Sequence, residues 1–424
     1  MNILLACYSF PPNAGIGGRR WAKFAKYLAR AGLDVYVIHA EPPSTGRSQW
    51  TADVMSDRIH CTALRRRFYA GMPLPQQQVY LLRLFKRVYL KGLTYWYRLT
   101  TNRRLEDATL LWRKEFIRTA NNLIVRKEIK AIIATGAPFY LLEYCADLKK
   151  QFPYIKLICD LRDLWFGSNL YGMSSLKEKE LEQEQKVFRK ICIYSDYITA
   201  PNPVLLDIQS LSGTEIPQKN RYILQHAFDQ DDLPSGFVKT ADSDSIRVIY
   251  GGALYSGCEV VLEGLDVFLS YLMKNNKSLY ERIRVDIYTD DSHDRIKVQH
   301  KNKVRFFPSI SNEIHTELRK STWVLLLALG HAKDFMTTKF FEYGSSGVPF
   351  MVLGEPGVLA EEVVKNDLGV FISHQLLLNS PESVASIFKD IFVPNKNYFL
   401  KHSYQDRTQE LLCLLSACFS AKKQ

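Results

Sequence analysis

A strand, a loop, a helix and a second strand follow one another between residues 323 and 353, and this succession constrains the fold more than any other part of the sequence. Residues 323–329 are a strongly apolar run with the length of one buried strand. A polar loop containing Asp334 follows, a helix is predicted over residues 338–345, and residues 349–353 are again apolar. Strands that alternate with helices are typical of parallel sheets covered by helices on both faces.

The same alternation runs through both halves of the 424 residues, which are too many for one ordinary core. Predicted strands lie at 3–8, 35–38, 131–135, 156–159, 197–200, 222–225, 246–250, 285–288, 304–307, 323–329, 349–353 and 370–372. Predicted helices of the second half lie at 258–273, 312–320, 338–345, 358–365, 381–391 and 404–417. We therefore expect an α/β protein with two Rossmann-like, doubly wound parallel-sheet domains facing a cleft that holds the ligand.

The domains are predicted at residues 1–230 and 231–399, with the polar stretch 230–245 as the linker. A terminal helix within about 400–424 is expected to pack back on the first domain. The eight cysteines form no Cys-x-x-Cys pair and no zinc-type cluster, which fits reduced thiols in the cytoplasm. No apolar run reaches the roughly 18 residues of a spanning helix. We expect a cytoplasmic protein, with peripheral attachment to the inner face of the cell membrane as a further hypothesis.

The net charge of +12 is concentrated in one segment. Residues 65–130 contain 16 Lys and Arg against 4 Asp and Glu, so the rest of the chain has 40 residues of each sign. Within residues 65–118, aromatic residues such as Trp96 and Tyr97 mix with these basic residues. The pattern favours an anionic membrane surface as partner, but it also fits a helical pair with a solvated basic face. Nucleic-acid binding is a third and less favoured interpretation.

Two glycine-containing loops follow predicted strands. In the first, Gly17 and Gly18 precede Arg19 and Arg20 at a helix start, where a bound anion would offset the unfavourable interaction of arginine with the helix dipole. The loop matches neither the G-x-G-x-x-G fingerprint nor a Walker motif, and a flexible turn is the ordinary alternative. In the second, Gly251 and Gly252 would bring backbone amides towards a diphosphate.

The helix predicted at residue 338 has the pattern of a nucleotide site. Thr337, Thr338 and Lys339 lie at its start, where amides and a positive charge attract phosphate. Glu342 would accept hydrogen bonds from a ribose diol. The alternative is an amphipathic helix with an exposed lysine and glutamate. Another polar cluster, residues 160–163, contains Asp163 and fits either a catalytic group or an internal salt bridge.

These segments together resemble the GT-B glycosyltransferases, specifically glycosyltransferase family 4 and its bacterial surface-polysaccharide members. The resemblance covers nearly the whole chain and rests on segments in family order, namely 10–20, 160–163, 226–229, 250–252 and 339–349. It implies a nucleotide-diphosphate sugar donor, retention of anomeric configuration and no cofactor or obligatory metal. The implied acceptor is a glycan, in particular one carried on a polyprenyl diphosphate.

The resemblance also implies residue roles. The family's E-x7-E signature maps onto Asp334, which would lie near the donor sugar, and Glu342, which would hold the ribose. The family's Arg and Lys after the first strand of the second domain correspond here to the neutral Ala253 and Cys258. The diphosphate still requires positive charge, so Lys339 is the first predicted substitute, followed by Arg19 or Arg20.

The implied mechanism is front-face transfer without a protein nucleophile, with Asp163 as a carboxylate near the acceptor. Two other functions stay open at this point: a GT-B-type sugar-nucleotide epimerase and a basic nucleic-acid-binding protein.

Overall fold

The chain divides into two compact units, each built on one parallel sheet. The structure is a computed structural model that describes residues 1–13, 16–42, 48–66, 80–104, 106–168, 173–207, 209–234, 245–310 and 313–420. The first unit comprises Met1–Gln225 with Arg407–Gln424, and the second comprises His226–Asp406. The division lies at residues 225 and 226, whereas the sequence-based boundary lies at 230 and 231. Most of the predicted linker, residues 235–244, lies outside the described residues.

The sheet of the first unit has seven parallel strands in the order β3-β2-β1-β4-β5-β6-β7. The strands are β1 (Asn2–Ala6), β2 (Asp34–Ala40), β3 (Ile59–Leu64), β4 (Ala131–Gly136), β5 (Lys156–Leu161), β6 (Tyr197–Ala200) and β7 (Arg221–Ile223). β1, β2 and β4 are almost wholly buried because helices cover both faces of the sheet.

Sequence analysis missed β3, which pairs in parallel with β2 at the edge of this sheet. Its central residues, His60, Cys61 and Ala63 among them, are exposed or half-buried, and only the two end residues are buried. An edge strand that contributes so little to the core lacks the apolar run by which the other strands were predicted.

The helices of the first unit connect these strands. They are α1 (Arg19–Arg30), α2 (Tyr80–Thr101), α3 (Arg113–Arg126), α4 (Tyr140–Gln151), α5 (Glu178–Tyr194) and the short α6 (Gln209–Ser212). The basic segment therefore contains the long helix α2 and the beginning of α3, while its residues 67–79 lie outside the described residues.

A buried ion pair fixes the chain that leaves α2. The Arg104 guanidinium donates to both carboxylate oxygens of Glu184 on α5, at 2.9 and 3.0 Å. Tyr140 and Trp165 also donate to this carboxylate, so the buried charge is satisfied by several hydrogen bonds.

The sheet of the second unit has six parallel strands in the order β10-β9-β8-β11-β12-β13. The strands are β8 (Ile246–Gly251), β9 (Ile283–Tyr288), β10 (Val304–Phe307), β11 (Trp323–Ala328), β12 (Phe350–Gly354) and β13 (Gly369–Ser373). The helices are α7 (Cys258–Asn275), α8 (Lys277–Arg282), α9 (Ile314–Arg319), α10 (Thr338–Gly344), α11 (Val358–Lys365), α12 (His374–Asn379) and α13 (Pro381–Ser386). Both sheets thus reverse their strand order next to their first strand, as doubly wound domains do.

The predicted elements of the second unit are present, with shifted ends. The helix predicted at 381–391 ends at Ser386, and the start predicted at residue 312 lies outside the described residues. Apolar side chains form one core on each face of the sheet, one against α7 and the other against α10 and α11.

The final helix, α14 (Tyr404–Ser420), begins at the end of the second unit, and from Arg407 onward it belongs to the first. Among the helices of the described residues, none is both long enough and apolar enough to cross a bilayer.

Candidate functional site

The two central strands of the second sheet, β8 and β11, bring together two of the predicted loops. They are neighbours, but the connection after β8 leads towards β9 and the connection after β11 leads towards β12 on the other side. Ligands of such sheets bind outside the carboxyl ends of the strands at this reversal. Gly251 ends β8, and Thr337 lies directly before α10, the helix that follows β11.

Helix α10 begins where the sequence predicts it. The Thr337 hydroxyl caps the helix by accepting a hydrogen bond from the Phe340 amide at 3.3 Å. Phe340 and Phe341 are buried, which directs this side of the helix into the core. Lys339 and Glu342 lie one turn apart and are both half-buried.

Lys339 points back at the end of β8. Its Nζ donates to the Tyr250 hydroxyl at 2.7 Å and lies 4.3 Å from the centre of that ring. The Tyr250 hydroxyl in turn donates to the Ala253 carbonyl at 2.5 Å, which leaves its lone pairs directed to the ammonium. Burial lowers the pKa of Lys339 to about 8, although the nearby Glu342 and Asp291 carboxylates act in the opposite direction.

The two glycines at the end of β8 make room for side chains of α10. Gly252 has a φ of +118°, and a Cβ built on it would lie only 2.4 Å from the Lys339 Cε. A Cβ on Gly251 would lie 2.9 Å from the Tyr343 hydroxyl, which donates to the Gly251 carbonyl at the same distance. The Gly252 amide already donates to the Tyr288 carbonyl at 2.8 Å. The predicted approach of this loop to a diphosphate stays a prediction.

Sequence reasoning missed a second cation at this strand end. Arg295, in the connection between β9 and β10, places its Nη2 3.8 Å from the Cys258 sulfur, where the family resemblance implies a lysine. The same guanidinium donates to the Leu254 carbonyl at 2.5 Å and lies 3.7 Å from a carboxylate oxygen of Glu259. Arg295 is 37 positions from Cys258 along the chain, so no local motif could have indicated it.

Asp334 lies on the exposed part of the loop between β11 and α10. The loop is held by the Lys333 carbonyl, which accepts from the Val358 amide at 2.9 Å. Next to it, a small pocket is lined by residues of this loop and of the loop after β12, including Phe335, Thr337, Glu355 and Gly357. Asp334 is not among the lining residues.

In the first unit, Arg20 is used to hold the structure together. Its guanidinium donates to both oxygens of the fully buried Asp160 at 3.1 Å and to the Leu224 carbonyl at 2.7 Å. Trp21 and Thr199 donate to the same carboxylate. The anion that offsets Arg20 at the start of α1 is therefore Asp160, and this arginine is not available to a ligand diphosphate.

The other predicted residues of this loop are also packed closely. Arg19 and Gly18 are buried, and a Cβ on Gly18 would lie 3.3 Å from the Phe10 Cα. Gly17 is half-buried, and its carbonyl accepts from Arg162. Gly15, which the family resemblance also uses, lies outside the described residues.

Asp163 forms the internal salt bridge that sequence analysis named as an alternative. Its Oδ2 accepts from Arg162 Nη2 at 2.8 Å, and its side chain keeps 34% exposure. It follows β5, so it lies at the carboxyl end of the first sheet. A role beside the acceptor stays a prediction.

No family model matches the chain, and no curated protein matches it significantly. Solved structures do match over almost the full length. The N-terminal domain of trehalose-6-phosphate phosphatase from Candida albicans is similar with a TM-score of 0.60 and 14% identity, over 98% of this chain and 97% of that one. The lipopolysaccharide outer core galactosyltransferase WaaB is similar with a TM-score of 0.52 and 10% identity, over 98% and 99% of the two chains.

A third similar structure is a putative UDP-N-acetylglucosamine 2-epimerase from Listeria monocytogenes, with a TM-score of 0.51 and 11% identity over 99% and 97% of the two chains. This chain has the GT-B fold. The expected pair of Rossmann-like parallel-sheet domains is thereby confirmed, whereas identities this low carry no statement about substrate or reaction.

Proposed function

We propose that the protein transfers a sugar from a nucleotide-diphosphate sugar, bound by the second unit, to a glycan acceptor. The observation that carries this proposal is the Lys339 ammonium at the carboxyl end of β8, bonded to a phenol and one helix turn from Glu342. A cation at this place suits the diphosphate, and a carboxylate one turn further along the helix suits the ribose diol.

The electrostatics of Lys339 support a diphosphate as its partner. Burial lowers the pKa of this lysine to about 8, and two nearby carboxylates compensate only in part. A diphosphate would supply the missing negative charge, so its binding would draw the lysine fully into the ammonium form.

Arg295 is the second cation that we assign to the leaving diphosphate. Its guanidinium already lies beside Cys258, so one phosphate oxygen would compete with Glu259 for it. Together, the two cations would take the place of the Arg and Lys pair that the sequence lacks at Ala253 and Cys258.

The finer parts of the proposal follow from the resemblance to glycosyltransferase family 4. They are retention of configuration by front-face attack, Asp334 near the donor sugar, Asp163 near the acceptor, a lipid-linked acceptor in surface-polysaccharide synthesis, and transfer without a metal. The two protein cations, Lys339 and Arg295, support transfer without a metal. Bound to the diphosphate, they would neutralise the negative charge that a metal ion neutralises in other enzymes.

A screen of nucleotide sugars for thermal stabilisation tests the donor site, because a ligand that binds only the folded state raises the melting temperature of the protein. We expect a stabilising nucleotide sugar, and we expect Glu342→Ala to abolish both the shift and the turnover while the protein stays folded. Glu361→Ala, an exposed glutamate on α11, is the matched control. Unchanged turnover in Glu342→Ala would refute the assigned donor site.

Epimerisation is the second candidate, since the fold is also similar to that of a putative sugar-nucleotide epimerase. Incubation with the nucleotide sugar alone, followed by NMR, separates the two reactions. A glycosyltransferase leaves the configuration of the donor sugar unchanged without an acceptor, whereas an epimerase converts the sugar nucleotide to its epimer.

A further inference from the structure

Helix α2 of the first unit carries an apolar face that stands in solvent. Its exposed apolar residues recur at helical spacing and are each 57% to 78% exposed: Phe85, Val88, Tyr89, Tyr95, Trp96 and Leu99. Four aromatic residues and two aliphatic ones at this exposure are costly in water, because each would be stabilised by burial.

We propose that this face of α2 docks on an anionic lipid bilayer surface. The helix has 22 residues and contains five basic residues and no acidic one. By the helical repeat, the positions of Arg87, Lys91 and Arg98 fall on one line beside the apolar face, and Lys91 is exposed. An apolar face bordered by basic positions is the pattern of a helix that lies in the headgroup region.

The aromatic residues strengthen the assignment to lipid. Trp96 and Tyr95 lie next to each other on the exposed face, and tryptophan and tyrosine favour the boundary between headgroups and acyl chains. A protein partner would have to provide a strongly acidic apolar groove, whereas an anionic bilayer offers both properties at once.

The C-terminal end of the helix is anchored to the first unit. On the side away from the exposed face, Leu90, Leu93 and Tyr97 are half-buried. Directly after the helix, Arg103 donates to both oxygens of Glu143 at 2.7 and 2.9 Å. The chain is thus tied to α4 at the end of α2, so docking of this face would orient the first unit at the membrane.

Trp96 provides a direct probe of docking. All six tryptophans lie in the described part of the chain, and the other five are buried, at most 8% exposed. We expect vesicles of mixed phosphatidylglycerol and phosphatidylcholine to shift the Trp96 fluorescence to the blue, and brominated acyl chains to quench it. Vesicles of phosphatidylcholine alone should bind more weakly, and Trp96→Phe should remove the signal.

Vesicle co-sedimentation of variants measures the two contributions separately. We expect the double substitution Phe85→Ser and Leu99→Ser to weaken binding about tenfold or more, and Lys91→Gln to weaken it about fivefold at low salt. Ile391→Ser and Lys274→Gln remove an exposed apolar residue and an exposed charge elsewhere, and should leave binding unchanged.

Three results would overturn the proposal. The first is that the wild-type chain binds anionic and neutral vesicles equally well and that the α2 variants bind both as well as the wild-type chain does. The second is a Trp96 shift caused by single-stranded nucleic acid but not by vesicles. The third is a lipid-free dimer that Phe85→Ser converts to a monomer, because the face would then be an interface between two copies.

Discussion

The basic residues at the carboxyl ends of the two sheets differ in their partners. In the first unit, Arg20 is bonded to the buried Asp160, and Arg162 is bonded to Asp163. In the second unit, the Lys339 ammonium donates to a phenol, and the carboxylates of Glu342 and Asp291 act on it only through space. A cation bonded to a buried carboxylate stabilises the fold, whereas a cation that donates to a phenol, or that lies 3.7 Å from a partly exposed carboxylate as Arg295 does, can still bind an anion.

This difference matters because the sequence pattern offered Lys339 first, and Arg19 or Arg20 second, as the source of positive charge for the diphosphate. All three lie in the first turn of a helix that follows a central strand. Only the environment separates a structural cation from a binding one, and the following predictions test that separation.

The largest effect is expected for Arg20→Met. Removing this side chain leaves the Asp160 carboxylate buried without its cation, so the free energy of unfolding should fall by about 3–5 kcal/mol. Denaturant titration checks this value. Arg113→Met, which removes an exposed ion pair with Asp147, is the control and should cost about 1 kcal/mol at most. If both substitutions lower the free energy of unfolding equally, the ion pair of Arg20 with Asp160 does not stabilise the fold.

Lys339→Met should leave stability nearly unchanged and lower turnover of the nucleotide sugar by about 100- to 1,000-fold, because the leaving diphosphate loses its nearest cation. The measurement is kcat/KM with the donor found in the thermal screen. Lys365→Met, an exposed lysine at the end of α11, should retain full activity. If the Lys339→Met protein were fully active, Lys339 would not be the cation that binds the diphosphate, and it would not differ from Arg20 in that respect.

Gly252→Ala should weaken donor binding about tenfold or more, because the added Cβ would displace Lys339. Gly257 is a matched control: its φ of +96° is also positive, but a Cβ there would approach no atom closer than 4.0 Å. Both alanine variants should lose about 1–2 kcal/mol of stability through backbone strain. A calorimetric comparison in which both variants bind the donor equally would contradict the role assigned to Gly252.

The smallest effect is the pH dependence of donor binding. Since the pKa of Lys339 is lowered to about 8, the ammonium that binds the diphosphate is present below that pH and is lost above it. Donor affinity should therefore fall about twofold between pH 7 and pH 8, and more steeply at higher pH. Calorimetry in buffers of different ionisation enthalpy should detect proton uptake on binding. In Lys339→Met this uptake should disappear.

Much of the fold was predictable because its signals are local. The apolar run of β11, the threonine cap of α10 and the apolar periodicity of its buried face each depend on residues within one or two turns of each other. The edge strand β3 was missed for the same reason, because a strand that is buried only at its ends carries no such run.

The candidate site was predictable only in part. Lys339 and Glu342 could be proposed together because both lie on one short helix, but Arg295 reaches Cys258 from a distant connection. The sequence likewise offered two interpretations of Asp163, and the structure shows its salt bridge with Arg162.

By itself, the sequence determined two series of alternating strands and helices, because side-chain periodicity and helix capping act between near neighbours. Only the tertiary structure decided which charges neutralise each other, since ion pairing depends on distance in space and on burial. For that reason Arg20 is part of a buried ion pair with Asp160, while the Lys339 ammonium donates to the Tyr250 hydroxyl.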